Sequence, residues 1–172
     1  LPVDMKGMCL LDAGCGTGAL AIAAAERGAE VLAIDVSGGL IDIARKRAPD
    51  HLSIDWRVGD MRSHSLGIFD HVVAMDSLIH YDEADILGVL KAWSQRAKEV
   101  LFTFAPGTPM LRTMHFVGKA FPKSDRSPAI LPVSETKLSR EIEAALPEWK
   151  IEFTQRVSRG FYKSQAMGMN RL

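Results

Sequence analysis

Three glycines separated by single residues form the clearest chemical signal in the chain. They lie in LDAGCGTG, residues 11–18, between a short apolar run and an Ala-rich run. Glycine lets the backbone turn tightly and lets a ligand approach it closely, and the start of the following helix offers unpaired N–H groups. The pattern predicts a cofactor site formed by Asp12, Gly14, Cys15, Gly16 and Gly18. A structural turn without a ligand is the alternative.

Acidic and apolar residues follow the next three predicted strands. Asp35 ends the second strand, where a carboxylate can accept both ribose hydroxyls. Asp60 follows the third strand and can accept an adenine amino group while Met61 packs on the ring. Helix capping by Asp35 and a turn role for Asp60 stay open. The predicted second half of the cofactor site comprises Asp35, Val36, Gly59, Asp60, Met61 and Met75.

Short apolar runs alternate with helical patterns up to residue 106, which is typical of a parallel α/β sheet. We predict a single domain over residues 1–172. Residues 107–133, broken by prolines, form a substrate-side insertion within it. The predicted strands cover 8–12, 31–35, 54–58, 72–76 and 100–104, followed by a hairpin of 150–157 and 161–167. The predicted helices cover 19–27, 40–47, 83–98 and a segment from 134.

The amino-acid composition of the chain excludes several classes of function. The chain has 172 residues, 21 basic and 21 acidic, and a formal net charge of zero, which argues against non-specific nucleic-acid binding. No apolar run is long enough to span a membrane, and no signal peptide opens the sequence. The two cysteines fit a reducing cytoplasm, and no Cys/His spacing resembles a metal site. Residues 107–172 carry 11 basic and 6 acidic residues, so this part of the chain is the better candidate for binding an anion. Acidic and basic faces that simply compensate each other are the alternative.

The glycine run, Asp35, Asp60 and the fourth strand occur in an order that resembles the class I S-adenosylmethionine-dependent methyltransferases over residues 8–105. The resemblance implies S-adenosylmethionine as the cofactor. It also implies a Rossmann-like α/β fold, with a seven-stranded, mostly parallel sheet, an antiparallel last strand and helices on both faces. An NAD-dependent oxidoreductase is the weakest alternative, because the third glycine comes one position earlier than in the dinucleotide fingerprint.

Later stretches resemble the magnesium protoporphyrin IX O-methyltransferase family in its bacteriochlorophyll-pathway form. They are DSLIHY at 76–81, FAPGTP at 104–109, MHFVGKAFP at 114–122, RSPAI at 126–130 and GFYKSQAM at 160–167. The resemblance implies methyl transfer to one propionate of Mg-protoporphyrin IX. It also suggests contact with the porphyrin-binding subunit of magnesium chelatase and peripheral contact of a cytoplasmic protein with the photosynthetic membrane. Relatives carry an N-terminal segment that folds over the cofactor, which we expect to be missing here.

The two candidate catalytic residues are adjacent. A propionate is ionised at neutral pH and a sulfonium methyl group is already activated, so positioning and water exclusion are the main requirements. His80 follows the fourth strand and can hydrogen-bond or deprotonate the propionate, and Tyr81 can share this role. A structural hydrogen bond is the alternative role for His80. Of the two residues, the family resemblance favours His80 as the catalytic one.

Basic and apolar residues alternate in the insertion. A porphyrin is an apolar disc with two carboxylates, and this composition suits it. His115 can also serve as an axial ligand of the porphyrin magnesium, and a solvated amphipathic helix is the alternative for the whole stretch. The predicted substrate-binding residues are Arg112, His115, Lys119 and Arg126.

Two other functions stay open for the chain as a whole. It can be a methyltransferase for another small carboxylate or phenol, or a non-catalytic binding domain.

Overall fold

Seven strands form one sheet in the order β3-β2-β1-β4-β5-β7-β6 in the computed structural model, which describes residues 1–107, 130–159 and 162–172. Strand β7 runs antiparallel to both of its neighbours, and the other pairs are parallel. This topology confirms the predicted fold class. The strands are β1 Cys9–Ala13, β2 Glu30–Asp35, β3 Ile54–Val58, β4 Phe69–Ala74, β5 Ala97–Phe104, β6 Trp149–Arg159 and β7 Tyr162–Arg171.

Helices cover both faces of the sheet, because alternate strand residues point to opposite faces. Leu10 and Val73 join an apolar cluster with residues of α1 and α2, whereas Leu11 and Val72 join a larger cluster with residues of α3 and α4. The helices are α1 Ala19–Glu26, α2 Gly38–Arg47, α3 Glu83–Ser94 and α4 Glu135–Ala145, with short 3₁₀ turns at His64–Leu66 and Leu78–His80.

Three predicted boundaries of β4 and α3 were wrong. Strand β4 begins at Phe69 rather than at residue 72, because its first residues pair with β1 and β5 although two of them are polar. The strand ends at Ala74, so Met75 and Asp76 lie in the loop that follows it. Helix α3 ends at Ser94 rather than at residue 98, because pairing with β4 draws the next residues into β5 despite their helix propensity.

Two loops at the ends of parallel strands are fixed by side-chain caps. Ser37 begins α2 as the sequence predicted, since its Oγ accepts the Leu40 N–H at 3.3 Å. Asp82 begins α3, and its carboxylate accepts the Asp85 N–H at 2.9 Å. Both helices therefore begin on the side of the sheet where the parallel strands end. We call this side of the sheet its carboxyl edge.

The insertion leaves and rejoins the fold at the carboxyl edge. The Gly107 N–H donates to the Val133 carbonyl at 2.7 Å, and the Val133 N–H donates to the Ala105 carbonyl at 2.8 Å. The Leu131 N–H donates to the Ile79 carbonyl at 2.9 Å. Most of the insertion, residues 108–129, lies outside the described residues, and so does the helical spacing noted there. Its described ends are held beside the loop that carries His80.

Gly168 of β7 provides a sharp test of the sheet packing. A Cβ added at this position would overlap the Phe153 ring. We expect Gly168→Ala to lower the free energy of unfolding by about 1–3 kcal/mol, because the ring must move. In a Phe153→Ala background the same change should be neutral or stabilising, since glycine weakens a strand. Urea unfolding of the four proteins measures this coupling, and equal effects in both backgrounds would contradict the packing.

Candidate active site

The three glycines of the loop after β1 play different steric roles. Gly14, Gly16 and Gly18 have φ angles of 78°, 53° and 78°, which favour glycine. A Cβ on Gly14 would overlap Ser77, and one on Gly18 would overlap Trp56. A Cβ on Gly16 would meet no atom within 4 Å. The outer glycines therefore permit close packing, while the space above Gly16 is open to a ligand.

Asp35 fastens this loop to the end of β2. Its Oδ2 accepts the Gly16 N–H at 2.9 Å, and its Oδ1 accepts the Ser37 N–H at 2.9 Å. The N–H groups of Gly14 and Cys15 donate to the Ile34 carbonyl at 2.8 and 3.0 Å. An ionised carboxylate offers about four acceptor sites, so Asp35 keeps acceptor capacity beyond these two bonds. Its assignment to the ribose stays a prediction.

Asp12 lies beneath the same loop with only 2% of its surface exposed. Its Oδ2 accepts the Ala21 N–H at 3.0 Å, and burial together with the charge of Asp35 raises its pKa to about 7. Burial also raises the pKa of the Cys15 thiol to about 12, so this thiol is neutral. Asp12 and Asp35 thus place two carboxyl groups near the start of α1, of which Asp12 is buried.

The predicted adenine side of the site is only partly assembled. Both oxygens of Asp60 bind the Arg62 guanidinium, with the shortest distance 2.9 Å, and this contact lowers the Asp60 pKa. Met61 is 8% exposed and belongs to the core, so little of its side chain can reach a ligand. Val36 and Met75 are exposed. Gly59 follows β3, and its N–H donates to the Asp35 carbonyl at 2.9 Å.

The loop after β4 is tied to both neighbouring strands. The Ser77 hydroxyl donates to the Ala13 carbonyl at 2.8 Å. The Asp76 N–H donates to Thr103 Oγ1 at 2.7 Å, and the Thr103 hydroxyl donates back to the Asp76 carboxylate at 3.1 Å. The sequence analysis missed Ser77 and Thr103, although hydroxyl residues near the ends of adjacent strands are a usable signal.

The two candidate catalytic residues follow this anchored loop. His80 ends the short 3₁₀ turn, and Tyr81 packs partly against the core. Both side chains are half-buried. The anchoring of the loop brings them to the carboxyl edge beside the glycine loop. The predicted substrate-binding residues Arg112, His115, Lys119 and Arg126 lie outside the described residues.

Family models match two overlapping parts of the chain. One, described as a methyltransferase domain, matches residues 10–99. The other, described as the C-terminus of magnesium-protoporphyrin IX methyltransferase, matches residues 74–171. The sheet order, the glycine loop and these matches define a class I S-adenosylmethionine-dependent methyltransferase.

Individual relatives narrow this class. The magnesium-protoporphyrin O-methyltransferase of Rhodobacter capsulatus is 45% identical over 170 residues, covering 97% of this chain and 74% of that protein. The chloroplastic magnesium protoporphyrin IX methyltransferase of Arabidopsis thaliana is 32% identical, covering 94% of this chain and 53% of that protein. The structure also superposes on the crystal structure of the Synechocystis PCC 6803 magnesium protoporphyrin IX methyltransferase with bound SAH, with a TM-score of 0.82. The two sequences are 25% identical, and the match covers 98% of this chain and 76% of that chain. The chain belongs to the magnesium-protoporphyrin IX methyltransferase family.

The buried carboxyl group of Asp12 gives the cofactor-free protein a specific pH dependence. The folded state binds this proton more tightly than the unfolded chain, whose carboxyl titrates near 3.8. Between 3.8 and about 7 the free energy of unfolding should therefore fall as pH rises. Asp12→Asn keeps an acceptor for the Ala21 N–H but removes the titration. Its stability relative to wild type should rise by about 2 kcal/mol between about pH 5 and pH 7 and then level off.

Urea unfolding of both proteins across this pH range provides the measurement. A difference that does not change with pH would show that Asp12 is ionised throughout. The exposed Asp42→Asn variant is a matched control, since it removes a carboxylate from the solvent side of α2.

Proposed function

We propose that this chain transfers a methyl group from S-adenosylmethionine to a propionate carboxylate of Mg-protoporphyrin IX. The product is the monomethyl ester, an intermediate of chlorophyll and bacteriochlorophyll biosynthesis. The observation that carries the proposal is the open space above Gly16, with Asp12 and Asp35 beside it, in a chain of this family. The carboxyl edge that holds this space also holds His80.

The described residues fit the cofactor in shape and in charge. When bound, S-adenosylmethionine supplies a methyl group that its sulfonium charge activates. Its positive groups suit the carboxyl group that Asp35 places beside the open space above Gly16. The exposed side chains of Val36 and Met75 offer apolar contacts at the rim. Asp35 would bind the ribose hydroxyls, and Asp60 would bind the adenine amino group in exchange for part of its contact with Arg62.

Positioning of the nucleophile is the main task of the remaining residues. The substrate propionate is already ionised, so no strong base is needed. An N–H of His80 would donate a hydrogen bond to this carboxylate and orient one oxygen toward the cofactor. Tyr81 is adjacent and would donate a second hydrogen bond or exclude water from the same place. The bonds of Ser77 and Thr103 fix the backbone from which both side chains project.

The porphyrin would bind between this edge and the insertion. Arg112, Lys119 and Arg126 would attract the anionic porphyrin to this side of the molecule, and His115 would be an axial ligand of the substrate magnesium. The support is the anchoring of both ends of the insertion, at Gly107 and Leu131, beside the backbone of Ile79.

Two further contacts belong to the same proposal. They are the porphyrin-binding subunit of magnesium chelatase and the surface of the photosynthetic membrane, reached from the cytoplasm. The excess of basic residues after position 106 supports a contact with an acidic protein or membrane surface. Among the residues that the structure describes, no helix is long and apolar enough to cross a membrane.

A methyl-transfer assay tests the proposed activity. We would supply labelled S-adenosylmethionine together with Mg-protoporphyrin IX, metal-free protoporphyrin or a simple phenol. We expect ester formation on the magnesium porphyrin and little product on the phenol. Product on the phenol alone would assign the chain to another methyltransferase activity. If the porphyrin quenches the tryptophan fluorescence but no product forms, the chain is a non-catalytic binding domain.

His80→Ala tests the role of the imidazole. We expect kcat to fall by about 100-fold, because the propionate loses its orienting hydrogen bond, while the Kd of the cofactor stays within about twofold. Stopped-flow single turnovers and calorimetric titration with S-adenosylmethionine separate the two quantities. Loss of cofactor binding with normal turnover at saturation would remove His80 from the reacting centre.

Asp35→Ala is the contrasting variant. It removes the acceptor for the Gly16 and Ser37 N–H groups and for the ribose, so the cofactor Kd should rise at least about tenfold. Turnover at saturating cofactor should change less than it does in His80→Ala. Unchanged cofactor affinity would contradict the assignment of Asp35 to the ribose.

A further inference from the structure

Three residues lie in register near the carboxyl edge, on the half of the sheet farthest from the glycine loop. Phe104 of β5 pairs with Gln165 of β7, and Gln165 pairs with Arg156 of β6. Residues in register across strands share one face of a sheet. Phe104 is fully buried in the cluster formed with α3 and α4. The side chains of Gln165 and Arg156 therefore lie on the same face as these two helices.

Gln165 is a buried amide next to an apolar stretch of β7. It is 2% exposed, and its Oε1 accepts the Arg156 Nε–H at 3.0 Å. Burial of an amide is costly unless it is hydrogen-bonded. The structure shows that it holds the guanidinium in one orientation.

Glu135, the first residue of α4, supplies the second contact. Its Oε2 lies 3.5 Å from Arg156 Nη2, and the Arg156 side chain is still 50% exposed. These two partners contact Nε and Nη2 of the guanidinium. Among the described residues, none forms a hydrogen bond or ion pair with Nη1. This end of the guanidinium has the geometry that binds a carboxylate through two parallel hydrogen bonds.

The arginine and His80 lie at the same edge but are well separated. The Ser134 N–H donates to Glu83 Oε1 at 3.2 Å, which joins the start of α4 to the start of α3 just after His80. Strands β4 and β6 are three strand spacings apart, roughly 14 Å. A ligand that contacts both side chains must therefore carry an anionic group separate from its reacting group.

We propose that Arg156, oriented by Gln165, binds the propionate of the porphyrin that is not methylated. The inference rests on the proposed function. A guanidinium on the reacting carboxylate would stabilise its charge and weaken its nucleophilicity, so the arginine is suited to the spectator group. Binding energy from this remote group then holds the disc with its other propionate at His80. Arg156 thereby contributes to the choice between the two propionates.

The test combines a protein change with a substrate change. The substrates are Mg-protoporphyrin IX and its monoamide, in which the spectator propionate is neutral. We expect wild type to prefer the diacid by at least about tenfold in kcat/KM, mainly through KM. In Arg156→Gln this preference should vanish, and both substrates should react as the monoamide does with wild type. The cofactor Kd should not change.

Controls separate this inference from folding and from the proposed function. Arg171→Gln removes an exposed arginine at the other end of β7 and should keep the full preference. Arg156→Lys keeps the positive charge and should keep part of the preference for the diacid. A wild-type enzyme that treats both substrates alike, or an Arg156→Gln variant that still prefers the diacid, overturns the proposal.

Failure of the proposed function gives a different pattern. If wild type methylates neither porphyrin, the affinities are read from quenching of tryptophan fluorescence by the diacid and the monoamide. Tighter binding of the diacid that is lost in Arg156→Gln still supports the carboxylate contact. Equal affinities in wild type reject it.

Discussion

The hydrogen bond from the Gly16 N–H to the Asp35 carboxylate is the interaction on which the cofactor end of the molecule depends. It joins the glycine loop to the end of β2. The same carboxylate accepts the Ser37 N–H, and the Ser37 hydroxyl in turn caps α2. One side chain thus sets the positions of a loop, a strand end and a helix start. Because Gly16 leaves open space, this rigid arrangement can receive a ligand without rebuilding its packing.

Charge is divided between the two halves of the carboxyl edge. The glycine-loop half carries Asp35, whose carboxyl group favours a cation. The half near β6 carries Arg156, and the chain after position 106 has 11 basic and 6 acidic residues. A cationic cofactor and an anionic substrate are therefore drawn to different parts of one edge. The reaction brings them together at the loop between, where Ser77 and Thr103 hold the backbone before His80.

Local chemistry explains which features the sequence could predict. The glycine loop, the end of β2 and the whole of β3 depend on residues close together in the chain, and β3 has the predicted bounds. The sequence pattern did not predict the first residue of β4, because the pairing of this strand with distant strands outweighs the polarity of its first residues. The link from Ser77 to Ala13 joins residues 64 positions apart. The pairing of Arg156 with Gln165 depends on the strand register, which a hairpin pattern does not specify.

A substrate with two similar carboxylates sets a problem that reactivity cannot solve, because both groups are ionised and both are nucleophiles. The choice must come from geometry. A lysine would provide charge on a flexible stem, whereas a guanidinium held by a buried amide has a fixed direction. The register between β6 and β7 places that guanidinium in a fixed relation to β5, and the pairing of β5 with β4 extends this relation to the strand that precedes His80. The pairing of the strands then fixes the distance between Arg156 and His80, and this distance distinguishes one propionate from the other.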